Sequence, residues 1–90
     1  MEHYIIDCQA LHSKEDLHQH LAQTLSFPDW YGGNLDALYD CLCAITGDTG
    51  LTLENFQALK ERLGDYAGKL LYVLHDAEEE TPNLSITVKL

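Results

Sequence analysis

The stretch Phe27-Pro28-Asp29-Trp30-Tyr31-Gly32-Gly33-Asn34-Leu35-Asp36-Ala37-Leu38-Tyr39-Asp40-Cys41-Leu42 contains a helix stop, a turn and a helix start in succession. Pro28 disfavours helical backbone at the residue before it, so a helix arriving from the N-terminal side ends by Phe27. Gly32-Gly33 permits positive φ or a close backbone approach. Asn34 is a strong N-cap, whose side-chain oxygen takes a free N–H of the first helical turn. With roughly 100° of rotation per residue, Leu35, Leu38, Leu42 and Ile45 fall within about 80° of one another, and Cys41 flanks them. Asp36, Tyr39, Asp40 and Cys43 fall within about 100° on the opposite side. The segment therefore predicts a helix from Leu35 to about Ile45, with a buried stripe and a face carrying two carboxylates and a phenol.

Working outward, Ser13-Lys14-Glu15-Asp16 is a capping box with Asp in the acidic position. It opens a helix whose Leu17, Leu21 and Leu25 recur every fourth residue. Upstream, His3 to Asp7 is a short β-rich run. Downstream, Gly47-Asp48-Thr49-Gly50 has turn chemistry and Leu51-Thr52-Leu53 reads as a strand. Asn55 is placed to cap a third helix through Phe56, Leu59 and Leu63, with Gly64 as its stop. A fourth helix runs from about Tyr66 to Glu80, with Leu70, Val73, Leu74 and Ala77 at helical spacing. Pro82-Asn83 breaks it, and Leu84 to Val88 alternates as a closing strand. Strands separated by helices, with no hairpin signal, imply an α/β fold with a small three-stranded parallel sheet and about four helices. Residues 1–90 are expected to form a single domain.

Fifteen acids against five bases give a net charge of −10. Between Lys14 and Lys60 there is no Lys or Arg, while Glu15, Asp16, Asp29, Asp36, Asp40, Asp48 and Glu54 fall in that interval. Such a field repels nucleic acid and anionic membranes and attracts cationic partners, although a solvated acidic surface has the same composition. No apolar run approaches the roughly 18–20 residues needed to span a bilayer, and Met1 to Ile6 lacks a secretory signal, so a cytoplasmic location is expected. Cys8, Cys41 and Cys43 do not form a disulfide framework, and Cys41-x-Cys43 is too closely spaced for the usual zinc pair. Cys41, on the core side of its helix, reads as packing. No metal or cofactor is expected. His18 and His20 are two residues apart, on different sides of the first helix, so they do not form a joint metal site; His12 and His75 are isolated. None of these four is assigned a role.

Asp36 and Asp40 stand one helical turn apart, a like-charge pair that costs a few tenths of a kcal/mol. The first-turn dipole relieves Asp36 but not Asp40. Two solvated acids are the plain alternative. Trp30, Tyr31 and Tyr39 beside them make the stretch from Trp30 to Ile45 look like an interface with aromatic anchors. One of Trp30 and Tyr31 is expected to be half-buried beneath the loop.

The same residues resemble the signature of the barstar family, protein inhibitors of barnase-type ribonucleases. The resemblance covers the chain, including Leu17-His18-Gln19 and the order strand, two helices, strand, two helices, strand. It implies that Asp40 is the central carboxylate, entering a nuclease active site where the scissile phosphate would lie. Asp36 corresponds to a second acid on that helix that pairs with a basic residue at the rim. Trp30 stands where barstar has a Tyr that stacks on the nuclease's catalytic His, and Tyr39 where it has a Trp. Tyr31, Gly32, Asn34 and Leu35 correspond to the rest of the contact loop, with Ala44 and Ile45 at its end. Asp76 replaces a Glu that makes a peripheral ion pair, and Glu80 corresponds to a further peripheral acid.

The expectation that follows is a non-enzymatic, monomeric inhibitor of antitoxin or immunity type. It would form a 1:1 complex with a basic extracellular or toxin-domain ribonuclease and present Asp40 and Asp36 as phosphate mimics. An acidic adaptor of the same fold, binding a different cationic protein, is the alternative. An enzyme using Asp36 and Asp40 is disfavoured, because acid/base pairs flank a substrate in a cleft rather than share a convex helix face.

Overall fold

The computed structural model describes residues 2–90. Among these, three strands and four α-helices alternate in the expected order. Strand β1 (Glu2–Asp7) runs into a short 3-10 turn (Cys8–Ala10), followed by helices α1 (Lys14–Leu25) and α2 (Leu35–Cys43). Strand β2 (Thr49–Glu54) leads to α3 (Phe56–Leu63) and α4 (Asp65–Glu80), and β3 (Leu84–Val88) completes the sheet. The strands are parallel in the order β1-β2-β3, with Tyr4 opposite Leu51 and Leu51 opposite Ile86. Each β-to-β connection carries two helices. Right-handed crossovers in a sheet of this order place both helix pairs on one face.

Burial follows that layering. Ile6, Leu51, Leu53 and Leu84 point into the core, where they meet Leu17, Leu21, Leu38, Leu42, Phe56, Leu59, Leu70 and Leu74 from the helices. The alternating residues His3, Ile5, Ser85 and Thr87 are exposed on the other face. On β2, the central strand, even outward-facing Thr52 is only 5% exposed, and its hydroxyl lies 3.1 Å from His3 Nε2. Among the described residues, no helix is long and apolar enough to cross a membrane.

Several boundaries differ from the sequence reading. Thr49 and Gly50 belong to β2 rather than to a turn, because both adjacent strands pair with them: Glu2 and Leu84 flank Thr49, and His3 and Ser85 flank Gly50. Helix α1 stops at Leu25, before Pro28 acts, because Ser26 takes left-handed backbone (φ 57°) and Phe27 N–H reaches back to Ala22 O at 2.9 Å. That closure satisfies a free carbonyl of the last turn. Helix α2 ends at Cys43 rather than near Ile45: Ala44 N–H is shared between Asp40 O and Cys41 O, and Ile45 N–H bonds to Leu42 O, so the last turn tightens.

Asn55 precedes α3 but does not cap it with its side chain. Its backbone is left-handed (φ 58°), a conformation that Asn tolerates better than most residues. Its amide instead donates to Asp7 Oδ1 at 2.9 Å, tying the start of α3 to the end of β1. The Ser13 cap forms as expected, with Asp16 N–H donating to Ser13 Oγ at 3.1 Å. The reciprocal arm reaches one residue further back than a standard box, where Asp16 Oδ2 accepts from His12 N–H at 3.1 Å. Since β2 is the strand on which both neighbours depend, Leu53→Ala is expected to cost about 2–5 kcal/mol, read as a lower urea midpoint with an unchanged slope.

Candidate functional site

The site is built around the start of α2. Gly33 has φ +67°, and Asn34 then takes extended backbone (φ −132°, ψ 171°). From there Asn34 Oδ1 accepts Ala37 N–H at 2.8 Å, and Leu38 N–H bonds to Asn34 O at 2.9 Å. The cap fixes both the entry angle and the rotational phase of the helix. Leu38, Cys41 and Leu42 are buried, Asp36 and Asp40 are exposed, and Tyr39 and Cys43 are intermediate. The ends of the expected stripe, Leu35 and Ile45, are only half-buried, because they lie at the rims of the helix–core contact.

The two aromatics of the preceding loop part company. Tyr31 N–H bonds to Pro28 O at 3.0 Å, and the Tyr31 ring turns inward onto Phe27, with centroids 5.0 Å apart. Trp30, one residue earlier, is 75% exposed. The expectation that one of the pair is half-buried is met by Tyr31.

Packing of α2 against α4 brings the distant part of the predicted set into place. Leu35, Asp36, Tyr39 and Asp40 share a shallow hollow with Val73 and Asp76 of α4. On the other side of α2, Trp30, Asp40, Ala44 and Ile45 line a second hollow with the end of α1. Asp40 is common to both and sits on the ridge between them. The Tyr39 hydroxyl is held above its ordinary pKa, first by its hydrogen bond with Cys43, then by desolvation, and further by the charges of Cys43, Glu80 and Asp76. Glu80 therefore lies within electrostatic reach of the same patch. Gly32 and Asn34 are exposed at its N-terminal edge.

Among the described residues none of these acids has a salt-bridge partner. The one side-chain contact of this kind among the described residues is between His75 and Glu79, at 3.0 Å on the exposed side of α4. The same residues contain no group of three or more His, Cys, Asp or Glu arranged to hold a metal ion. All three cysteines are free thiols, with Cys8 and Cys41 buried. The arrangement offers four carboxylates on two packed helices, with an exposed indole at one edge, to cations supplied by another molecule.

Two residues to which the sequence alone assigns no role, His18 and Tyr66, stand behind this surface. His18 is 4% exposed, with Nδ1 2.5 Å from the Tyr31 hydroxyl and Nε2 2.6 Å from the Tyr66 hydroxyl. The helical projection of α1 could have found His18, since it lies roughly 100° from Leu17 and close to Leu25. Nothing local in the sequence links it to Tyr66.

The family described as Barstar (barnase inhibitor) matches residues 1–90. The chain belongs to the barstar family. A relative in Bacillus subtilis (strain 168), named "Putative ribonuclease inhibitor YrdF", is 43% identical over 81 residues, covering 89% of each chain. The three-stranded parallel sheet and paired crossover helices are the barstar-like architecture that the signature around Trp30 to Leu42 implied.

Two outcomes follow from the local chemistry. Removing the cap with Asn34→Ala should cost about 1 kcal/mol, measured by urea unfolding. The second concerns pH. Burial lowers the His18 pKa, and the charge of Glu15 opposes that shift only in part. The unfolded chain therefore binds a proton that the native chain does not. Stability should be fully present above the ordinary His range and should fall as pH drops through it towards the lower native value. Urea midpoints between pH 7.5 and 5 should show this decline, and His18→Gln should flatten it.

Proposed function

We propose that this barstar-family protein inhibits a basic microbial ribonuclease by occupying its active site. Asp40, supported by Asp36, would stand where a substrate phosphate would lie. The observation that carries this reading is the patch of four carboxylates, Asp36, Asp40, Asp76 and Glu80, without an ion-pair partner among the described residues and carried on packed helices beside exposed Trp30.

A ribonuclease cleft is cationic because it must bind a phosphodiester. A carboxylate on a capped helix is already oriented and meets those cations at little ordering cost. It offers no scissile bond. Asp40, on the ridge between the two hollows, would enter deepest. Asp36 and Asp76 would meet basic groups at the rim, and Trp30 would stack on the wall beside the cleft. The contact set on this reading is Trp30, Tyr31, Gly32, Asn34, Leu35, Asp36, Tyr39, Asp40, Ala44, Ile45, Asp76 and Glu80. The net charge of −10 would accelerate encounter with a basic partner. On this reading the protein is not a catalyst, the complex is 1:1, and its role is that of a cytoplasmic antitoxin guarding the producing cell.

The test is inhibition of RNA cleavage by a panel of basic microbial ribonucleases, with binding measured in parallel. Asp40→Ala should weaken binding to a susceptible enzyme by about 2–5 kcal/mol, roughly 30-fold to several thousand-fold. That is the general cost of truncating one partner of a buried interfacial charge pair, a range drawn in part from the barnase–barstar complex itself. Asp76→Ala, at the rim, should cost less than about 1 kcal/mol. Association should slow steeply as salt rises from 0.05 to about 0.5 M. Equal affinity of the wild type and Asp40→Ala would refute the mimicry. Binding to a cationic protein that is not a nuclease, with no ribonuclease bound, would establish the adaptor reading instead.

A further inference from the structure

The loop that carries Trp30 has little backbone support of its own. Among the described residues, the bond from Tyr31 N–H to Pro28 O at 3.0 Å is the one backbone hydrogen bond within residues 28–33. The loop is held by side chains, and its deepest anchor is His18. Both ring nitrogens of His18 are engaged, one by the Tyr31 hydroxyl of the loop and the other by the Tyr66 hydroxyl in the first turn of α4. The imidazole also packs on both phenol rings, with centroids 5.8 and 6.1 Å away. The loop backbone rests on the same residue, since a Cβ built at Gly33 would stand 4.0 Å from His18 Cβ. On the far side, Lys14 Nζ sits 4.6 Å above the Tyr66 ring.

We propose that His18 is a positioning residue for the partner-binding loop, bridging Tyr31 to Tyr66 so that α4 and α1 together fix the loop from Trp30 to Asn34. The proposal rests on the inhibitor reading for its consequence, although not for its geometry. A leucine at position 18 would fill the edge of the core without the cost of burying polar nitrogens. What a neutral imidazole adds is direction: one nitrogen donates and the other accepts, so each phenol has a defined place. With the Tyr31 side chain fixed inward, the adjacent Trp30 is held outward beside Asp40. A loop ordered before encounter loses less entropy on binding than one ordered by its partner.

The decisive variant is Tyr66→Phe. It keeps the ring under Lys14 and against His18 and removes only the hydroxyl, whose hydrogen bond is to the imidazole rather than to the loop. Amide hydrogen exchange of residues 29–34 in the free protein should accelerate about tenfold, the equivalent of one net hydrogen bond, while β2 amides follow only the change in global stability. Affinity of the folded variant for a susceptible ribonuclease should fall by a similar factor. Tyr31→Phe should do the same, and the double variant should lose less than the product of the two, because both loosen one ring.

If Tyr66→Phe lowers the melting temperature but leaves loop exchange and affinity untouched, His18 is a packing residue and the proposal is wrong. Should Tyr66→Phe fail to fold, Tyr31→Phe decides by loop exchange in the free protein, where acceleration supports the clamp and unchanged exchange overturns it. If the wild type binds no ribonuclease, the inhibitor reading falls. Loop exchange still separates a clamp, which accelerates in Tyr66→Phe, from its absence.

Discussion

A nine-residue helix carrying two aspartates one turn apart would not persist alone in water, where nucleation is costly and like charges at that spacing repel. Helix α2 exists because Leu38 and Leu42, both fully buried, seat it against the core, and because Asn34 closes its first turn. Everything at the surface depends on that seating. Once the apolar stripe is inward, the phase of the helix leaves Asp36 and Asp40 no direction but outward. Packing against α4 then sets Asp76 beside them. The acidic patch is thus a consequence of core packing two residues away, and its rigidity is borrowed from that core.

The sequence was most informative where local rules act alone. Helical phase separated Leu38 and Leu42 from Asp36 and Asp40, and the capping preferences of Ser13 and Asn34 were met. It was less informative where two chemistries compete at one residue. Asn55 has the identity of a cap, yet tertiary contact with Asp7 outbid the helix for its amide. Thr49 and Gly50 have turn character, but two neighbouring strands recruited them. The His18 bridge to Tyr66 lay beyond sequence reasoning for a different reason. It joins residues 48 apart in the chain, and no periodicity reports which α4 side chain meets which α1 side chain.

Within the candidate site the same division holds. Asp36, Tyr39 and Asp40 share one helix, so their common face followed from rotation alone. The place of Asp76 came only with the family resemblance, and Val73 was visible only once α2 and α4 had packed. Trp30 and Tyr31 were indistinguishable as neighbours on a loop. Phe27 and His18 separate them, by drawing Tyr31 inward.

The distribution of charge is harder to reconcile with stability than with binding. Five bases against fifteen acids leave the fold under self-repulsion that a few lysines near α2 would relieve. None lies between Lys14 and Lys60. Two of the five cations are engaged elsewhere: Arg62 binds the carbonyls of Gln9 and Leu11 after β1, and Lys14 covers the Tyr66 ring. An internal salt bridge to Asp40 would gain little at an exposed site, where such pairs contribute at most about 1 kcal/mol. It would, however, have to be broken and desolvated before a partner's guanidinium could take its place. An unpaired Asp40 costs the free protein almost nothing while it is hydrated and keeps its full capacity for a cation that arrives with a cleft around it. On the inhibitor reading, the missing lysine is as much a part of the site as the aspartate.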